Sequence, residues 1–531
     1  MRNFNKILFN KNDISSATFI LLISYILSSF LGLVRNRLFA GIFGDSPELG
    51  AFYLSDKIPS TIFALVVMSV LSFSFIPIHK KILKNGENDE KKLISTLLIL
   101  FYGLYILLSL PIFVFSSYFI YLVSWGNLAL GSYLNEISGT MMRLILASQF
   151  LLIFANFQSA FLNSHKRFLV PAFTTFFYNL GTILGTVLLY KYFGVVSISI
   201  GILIGTFFTL LIQIPVTNSL FLSKKIGLVF DKKLAKKLIY FSIPRTIVIT
   251  TGYLYSIFIV GFISRFFLSP SYIVVYEFSS QLYNMPITVF AVSLAQALLP
   301  NFSELAEGGE FKKINVLLSE YFQRLFYYLA PITVLFFVLK IPIIRLIYGG
   351  DNFSWLGTNL TAYTFAFFCI SLIATSLSTV LIRFFYSINQ PLIPTMSSFI
   401  NFVLSLFFCF FFVFFLKNGL WSLALAFSLG SIAQFSFLYI RCKKYIGDFI
   451  TENRAKYTPI IFFSYVIGIL TYYTMHKFDT FLVDTTRTLP LLIFTLLMLS
   501  IYFLVYVLLL ENFGISYFRN STKKLIQKII G

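Results

Sequence analysis

Long apolar runs alternate with short polar turns along nearly the whole chain. A run of about 18 or more apolar residues is long enough for a helix to cross the hydrocarbon core of a bilayer. Fourteen runs can be counted, at 17–43, 52–78, 93–124, 138–162, 168–190, 195–220, 238–263, 271–299, 317–347, 358–385, 392–416, 419–440, 457–475 and 489–510. They predict an all-α polytopic membrane protein with about 14 transmembrane helices. An even number of crossings returns both termini to one side.

The polar turns say which side. Turns after even-numbered runs carry most of the cations, including Lys80, Lys81, Lys84, Lys166, Arg167, Lys312, Lys313 and a cluster at 441–456. Turns after odd-numbered runs hold only Lys191, Arg265, Lys417, Lys477 and Arg487. Lysine and arginine favour the cytoplasmic side, so both termini are expected in the cytoplasm. The basic start MRNFNKILFNKNDISS precedes the first run without a small-residue cleavage site, which predicts a retained first helix.

Two basic amphipathic stretches, 223–237 and the tail 514–531, are expected to lie on the membrane surface against anionic lipids. The first divides the chain into an N-terminal six-span bundle (1–222), a linker (223–237) and a second six-span bundle (238–440). Residues 441–531 add a basic loop, two more spans and the tail. The halves echo each other: Pro77 and Pro300 each close a span before a lysine pair, and Pro171 and Pro394 each follow a polar turn. Both proline pairs are separated by 223 residues, which predicts an internal repeat with a substrate route between the halves.

Composition removes other classes. Residues are 58% hydrophobic and 11% charged, whereas a soluble domain carries roughly 25% charged residues. The net charge of +21 lies mostly in short turns, so it reports topology and lipid headgroups, and no nucleic-acid partner is expected. Cys369 and Cys409 fall in apolar runs and Cys442 in a basic loop; with three histidines and no CxxC pair, neither a metal nor a cofactor is expected. Short outer turns (GDSPELG, YKYFGVV, LKNG) and the lack of a phosphate-binding loop argue against an enzyme.

The stretch 29–60 does not fit a plain span, because it carries Arg35, Arg37, Asp56 and Lys57. A charge at the centre of a spanning helix costs about 3 kcal/mol on insertion scales, so such groups face a wet cavity, an ion pair or an interface. Two cations near a short Gly/Pro turn suggest a pocket for an anion; snorkelling to the interface is the simpler alternative.

FLGLVRNRLFAGIFG, AFYLSDKIPSTIF and SFSFIPI in the first half resemble the MurJ/MviN family of lipid II flippases, within the MOP exporter superfamily. So do QLYNMPITVFAVSLAQALLPNFSELA and APITVLFFVLKIPIIRLIYGG in the second. The resemblance implies two six-helix bundles in a V around a cationic cavity that binds a polyprenyl-pyrophosphate-linked glycan. It also implies a lipid-tail groove on the last two helices. Transport is implied to be alternating access, driven by a coupling cation or the membrane potential. Arg35 occupies the position of a functional first-helix arginine, and Lys57 that of a lysine before the second-helix proline. Other family arginines fall on Ser29, Phe63 and Gln281, and an acidic position falls on Met68.

A pyrophosphate in a low-dielectric cavity still needs cations. Arg37, Lys57, Arg143 and Arg245 (beside Pro244) are the candidate replacements, the arginines each with a snorkelling alternative. Asp56 is a candidate for ion coupling, and Glu277 for balancing Arg37 or Lys57. Glu320 and Arg324, four residues apart, predict a structural ion pair. Lys340 and Arg345 are expected to snorkel, and Tyr53, Tyr178, Tyr283 and Trp355 to serve interface belts and lipid packing. Beside the flippase stand a related exporter of another lipid-linked polysaccharide or of drugs, a membrane glycosyltransferase, and a non-transporting scaffold.

Overall fold

The computed structural model describes residues 14–68, 79, 87–126, 131–165, 167–221, 229–267, 269–452, 454–481, 488–515 and 517. Pro77, most of the first half of the linker and nearly all of the tail lie outside the described residues. The helices are α1 (Ile14–Phe43), α2 (Pro47–Phe63), α3 (Glu87–Val114), α4 (Ser116–Val123), α5 (Gly131–Ser164) and α6 (Thr174–Phe193). They continue as α7 (Val196–Phe221), α8 (Lys232–Phe266), α9 (Ser271–Pro286), α10 (Ser293–Glu307), α11 (Phe311–Val338) and α12 (Lys340–Tyr348). Then come α13 (Trp355–Cys369), α14 (Leu372–Ser387), α15 (Leu392–Phe410), α16 (Trp421–Ile446), α17 (Arg454–Phe481) and α18 (Thr488–Asn512).

Every one of the fourteen expected runs contains helix. Eleven helices among the described residues are long and apolar enough to cross a membrane, or twelve if the 48° bend between α13 and α14 is counted as one broken span. The helices α2 and α6 fall outside that set. Span eight does not end at Pro300, as the repeat suggested: helix runs through that proline to Glu307. Likewise Cys442 lies buried within α16 and not in a loop.

The second and eighth spans share a distortion that periodicity does not reveal. Pro59 lies inside α2, which passes into a π-helical turn at Ala64–Met68; Pro286 closes α9, which passes into one at Ile287–Val292. Proline removes a backbone donor and crowds the preceding turn, and π-turns are a common way for a helix to absorb an extra residue near functional sites.

The chain divides into two compact units, Met1–Glu277 and Phe278–Gly531. Within the first, α6 and α7 touch backbone to backbone along Gly181, Gly185, Gly201 and Gly205, the small-residue packing that membrane helices favour. Ser55 Oγ on α2 donates to the Ser138 carbonyl of α5 at 3.0 Å, and Tyr105 on α3 donates to the Leu146 carbonyl of α5 at 2.8 Å. Trp125 packs against Phe258, Phe262 and Phe266 of α8. Within the second, Tyr506 of α18 donates to the Tyr327 carbonyl of α11 at 2.8 Å. Asn401 of α15 donates to Gln434 of α16 at 2.9 Å. Tyr283 is buried and bonded to Ser371 and Thr375, and Tyr53 is buried as well, so neither belongs to an interface belt. Glu320 and Arg324 make the expected i,i+4 pair.

Candidate functional site: a charge cluster inside the first unit

Helix α2 starts sharply. The Ser46 hydroxyl accepts from the Leu49 N–H, Pro47 occupies the first turn where its missing donor is harmless, and Glu48 sits at the positive end of the helix dipole. Lys57 lies about ten residues further on, on the order of 15 Å along the axis. Its stem is buried, and its ammonium donates to Glu277 Oε1 of α9 at 2.5 Å. The partners are 220 residues apart in sequence. Both side chains are largely withdrawn from solvent, at 10% and 13% exposure, so the ammonium is held by a buried carboxylate and does not extend to water.

Asp56, the adjacent residue, points elsewhere on the helix. It accepts a 2.9 Å hydrogen bond from Ser60 and lies close enough to Lys57, Glu277 and Arg35 to feel all three charges. Gln149 of α5 reaches the same turn. In the amide orientation that satisfies both of its polar atoms, it donates to the Pro59 carbonyl at 2.5 Å and accepts from the Ser60 N–H at 3.2 Å. A polar side chain thus braces the helix where the proline has disturbed its backbone bonding.

Arg35 supplies the second cation. Its guanidinium donates to Asn179 Oδ1 of α6 at 3.0 Å and to Asn36 Oδ1 at 3.2 and 3.3 Å, and stands 5.8 Å from the Phe39 ring centre. Asn179 in turn donates to the Ser28 carbonyl of α1 at 3.3 Å. The arginine is oriented by two neutral amides, so its positive charge is not cancelled by a directly bonded carboxylate.

Among the predicted site residues, Arg35, Asp56, Lys57 and Glu277 therefore come together, two cations with two carboxylates. Of the two partners considered for Glu277, the lysine is the one it holds. Arg37 is partly buried but lies about 200° around the helix from Arg35. Arg143 is not part of the cluster: it is exposed on α5, and its Nε donates to the Phe113 carbonyl at 3.1 Å, near the break between α3 and α4. Arg143→Gln is accordingly expected to leave transport within about twofold of the parent and to change stability by under about 0.5 kcal/mol, measured as uptake in proteoliposomes and thermal unfolding. A tenfold loss of transport would sink that assignment. The Arg245 side chain lies outside the described residues.

Sequence reasoning missed Asn36, Asn179, Ser60 and Gln149. Amides inside apolar spans are a usable signal, since polar side chains there usually bond across helices.

Comparison with known proteins agrees with this architecture. The family model described as lipid II flippase MurJ matches residues 39–512. A probable lipid II flippase MurJ of Buchnera aphidicola subsp. Schizaphis graminum is 25% identical over 522 residues, covering 95% of this chain and 97% of its own. Among solved structures, an inward closed lipid II flippase MurJ superposes with a TM-score of 0.75 at 21% identity, covering 92% of this chain and 98% of that one. An inward-facing multidrug resistance MATE transporter of the MOP superfamily gives 0.67 at 13% identity, covering 82% and 99%. With the family model spanning nearly the whole chain, and with the flippase fold superposing over it, the chain belongs to the MurJ lipid II flippase family.

Proposed function

We propose that this protein carries lipid II, the polyprenyl-pyrophosphate-linked precursor of the cell wall, from the cytoplasmic to the outer leaflet of the inner membrane. The reading is of a transporter and not an enzyme. The observation that carries it is the buried Lys57–Glu277 pair beside Arg35.

A lone cation there would be costly, and an ion pair lowers that cost while keeping the cation available. The diphosphate arrives with its own negative charge and competes with Glu277 for the Lys57 ammonium. Arg35, already oriented by Asn36 and Asn179, offers a planar donor face suited to phosphate oxygens. The Glu277 and Asp56 carboxylates then hold negative charge that a coupling cation or the membrane potential can act on. Alternating access between two repeat-related bundles, with termini and lysine-rich loops in the cytoplasm, completes the scheme.

The balanced cluster also supports a second reading. Two carboxylates in the same place suit a cationic cargo, as a drug exporter of the MOP superfamily would need. Growth rescue in a bacterium depleted of its own lipid II flippase separates the two. Rescue by the unmodified chain at normal membrane levels is expected. Failure to rescue despite correct insertion, together with export of a lipophilic cation, would replace the flippase reading with the exporter.

A further inference from the structure

The second unit contains a cavity of about 310 Å³ that the charge cluster does not explain. It lies where α12 and the start of α13 meet α17 and α18, and it is lined by Lys340, Arg345, Trp355, Tyr472, His476 and Leu491 with a few aliphatic neighbours. Among the described residues, none that lines it is acidic. Lys340 and Arg345, expected to snorkel, are partly buried and turned onto aromatic rings. The Arg345 guanidinium stands 5.6 Å from the Trp355 ring centre, and the Lys340 ammonium 5.3 Å from those of Phe337 and Tyr363. Tyr472 and His476 stack with parallel rings on the facing wall.

We infer that this cavity binds the headgroup of an anionic phospholipid in the leaflet opposite the lysine-rich loops. Charge complementarity chooses the occupant: among the described lining residues there are two cations, no carboxylate, and tryptophan and tyrosine of the kind that sit at headgroup level. Size agrees, since the volume is at the lower end for small-molecule pockets and is too small for a glycan-peptide cargo. The acyl chains have a path, because Tyr472, Tyr473, Leu492 and Ile493 on α17 and α18 are exposed on the apolar faces beside it. A lipid seated there ties the last two helices to the α12 segment. The inference is independent of the transport reading, since it uses none of the charge-cluster residues.

Trp355 lies in the cavity and reports on it. The chain has three tryptophans, so Trp125→Phe with Trp421→Phe leaves it as the sole emitter. That protein is reconstituted in phosphatidylcholine vesicles containing increasing amounts of phosphatidylglycerol brominated near the headgroup. Each surface cation favours an anionic headgroup by about fivefold, so quenching is expected to saturate at an on the order of twentyfold lower fraction of this lipid than of brominated phosphatidylcholine. Lys340→Gln with Arg345→Gln is expected to bring the two lipids to within about twofold. The charge-keeping pair Lys340→Arg with Arg345→Lys is expected to retain the preference, which guards against reading a packing defect as lost binding. Equal quenching by both lipids in the parent, or a preference that survives the double glutamine change, overturns the inference. So does relief of quenching by inorganic phosphate, which would make this a free-anion site. Relief by polyprenyl pyrophosphate at equal membrane fraction would make it an exit point for cargo, and would overturn the phospholipid assignment too.

Discussion

Lys57→Met is expected to abolish growth rescue of cells depleted of their own lipid II flippase, and adding Glu277→Gln is expected to restore the protein without restoring the rescue. The single change leaves the Glu277 carboxylate buried with no directly bonded cation, in a pair where both side chains are nearly withdrawn from solvent. Removing one partner of a buried pair costs about 3–5 kcal/mol, enough to lower membrane levels and the thermal midpoint. Neutralising both partners removes the stranded charge, and replacing a buried pair with neutral side chains is often near neutral for stability. Stability and function therefore separate in the double variant. Its unfolding midpoint returns toward the parent, while the ammonium that would meet the diphosphate is gone. The measurement is rescue at matched membrane abundance, alongside thermal unfolding in detergent. Rescue by the double variant would reduce Lys57 to a structural counterion and leave Arg35 as the substrate cation to test.

The second large effect is expected at Gly205. A β-carbon there would fall 2.3 Å from the Tyr178 carbonyl oxygen, and one on Gly181 would fall 2.3 Å from the Gly205 α-carbon. The atoms in the way are backbone, which cannot rotate aside, so Gly205→Val must push α6 from α7. Overpacking costs about 1–3 kcal/mol where side chains can yield and more where they cannot. The displaced helix also carries Asn179, the amide that orients Arg35, so transport should fall along with stability. Gly32→Ala is the control: it lies in α1 with nothing within 4 Å of the added carbon, and should leave both properties near the parent. Equal thermal midpoints for Gly205→Val and Gly32→Ala would show that α6 and α7 are not packed this closely.

Several expectations met the structure with different fortunes, for reasons specific to each residue. Glu320 and Arg324 could be paired from spacing alone, because residues four apart always share a helix face. Arg143 could not be positioned: polar residues are spread around its span, so no apolar stripe says which face turns inward. Lys340 and Arg345 were given to the interface because long cationic side chains usually reach it; what only packing reveals is that ring partners and a neighbouring helix pair make them part of a cavity wall. Pro300 looked like a terminator, since proline usually ends a helix in water. Within a packed membrane span the freed backbone groups can be satisfied nearby, and the helix continues.

The sequence by itself determined where the helices are, which loops carry the positive charge, the family to which the chain belongs, and which charges would be expensive at membrane depth. Bilayer thickness imposes span length, and the cost of burying charge makes Arg35, Asp56, Lys57 and Glu277 conspicuous wherever they fall. Tertiary structure alone decided which of these meet. The choice of Glu277 for Lys57 across 220 residues, the amide cradle around Arg35, the π-turns after Pro59 and Pro286, and the cationic cavity beside α17 all depend on how each helix is rotated and bent. In a uniformly apolar span the hydrophobic pattern is the same on every face, so rotation is fixed only by packing against neighbours.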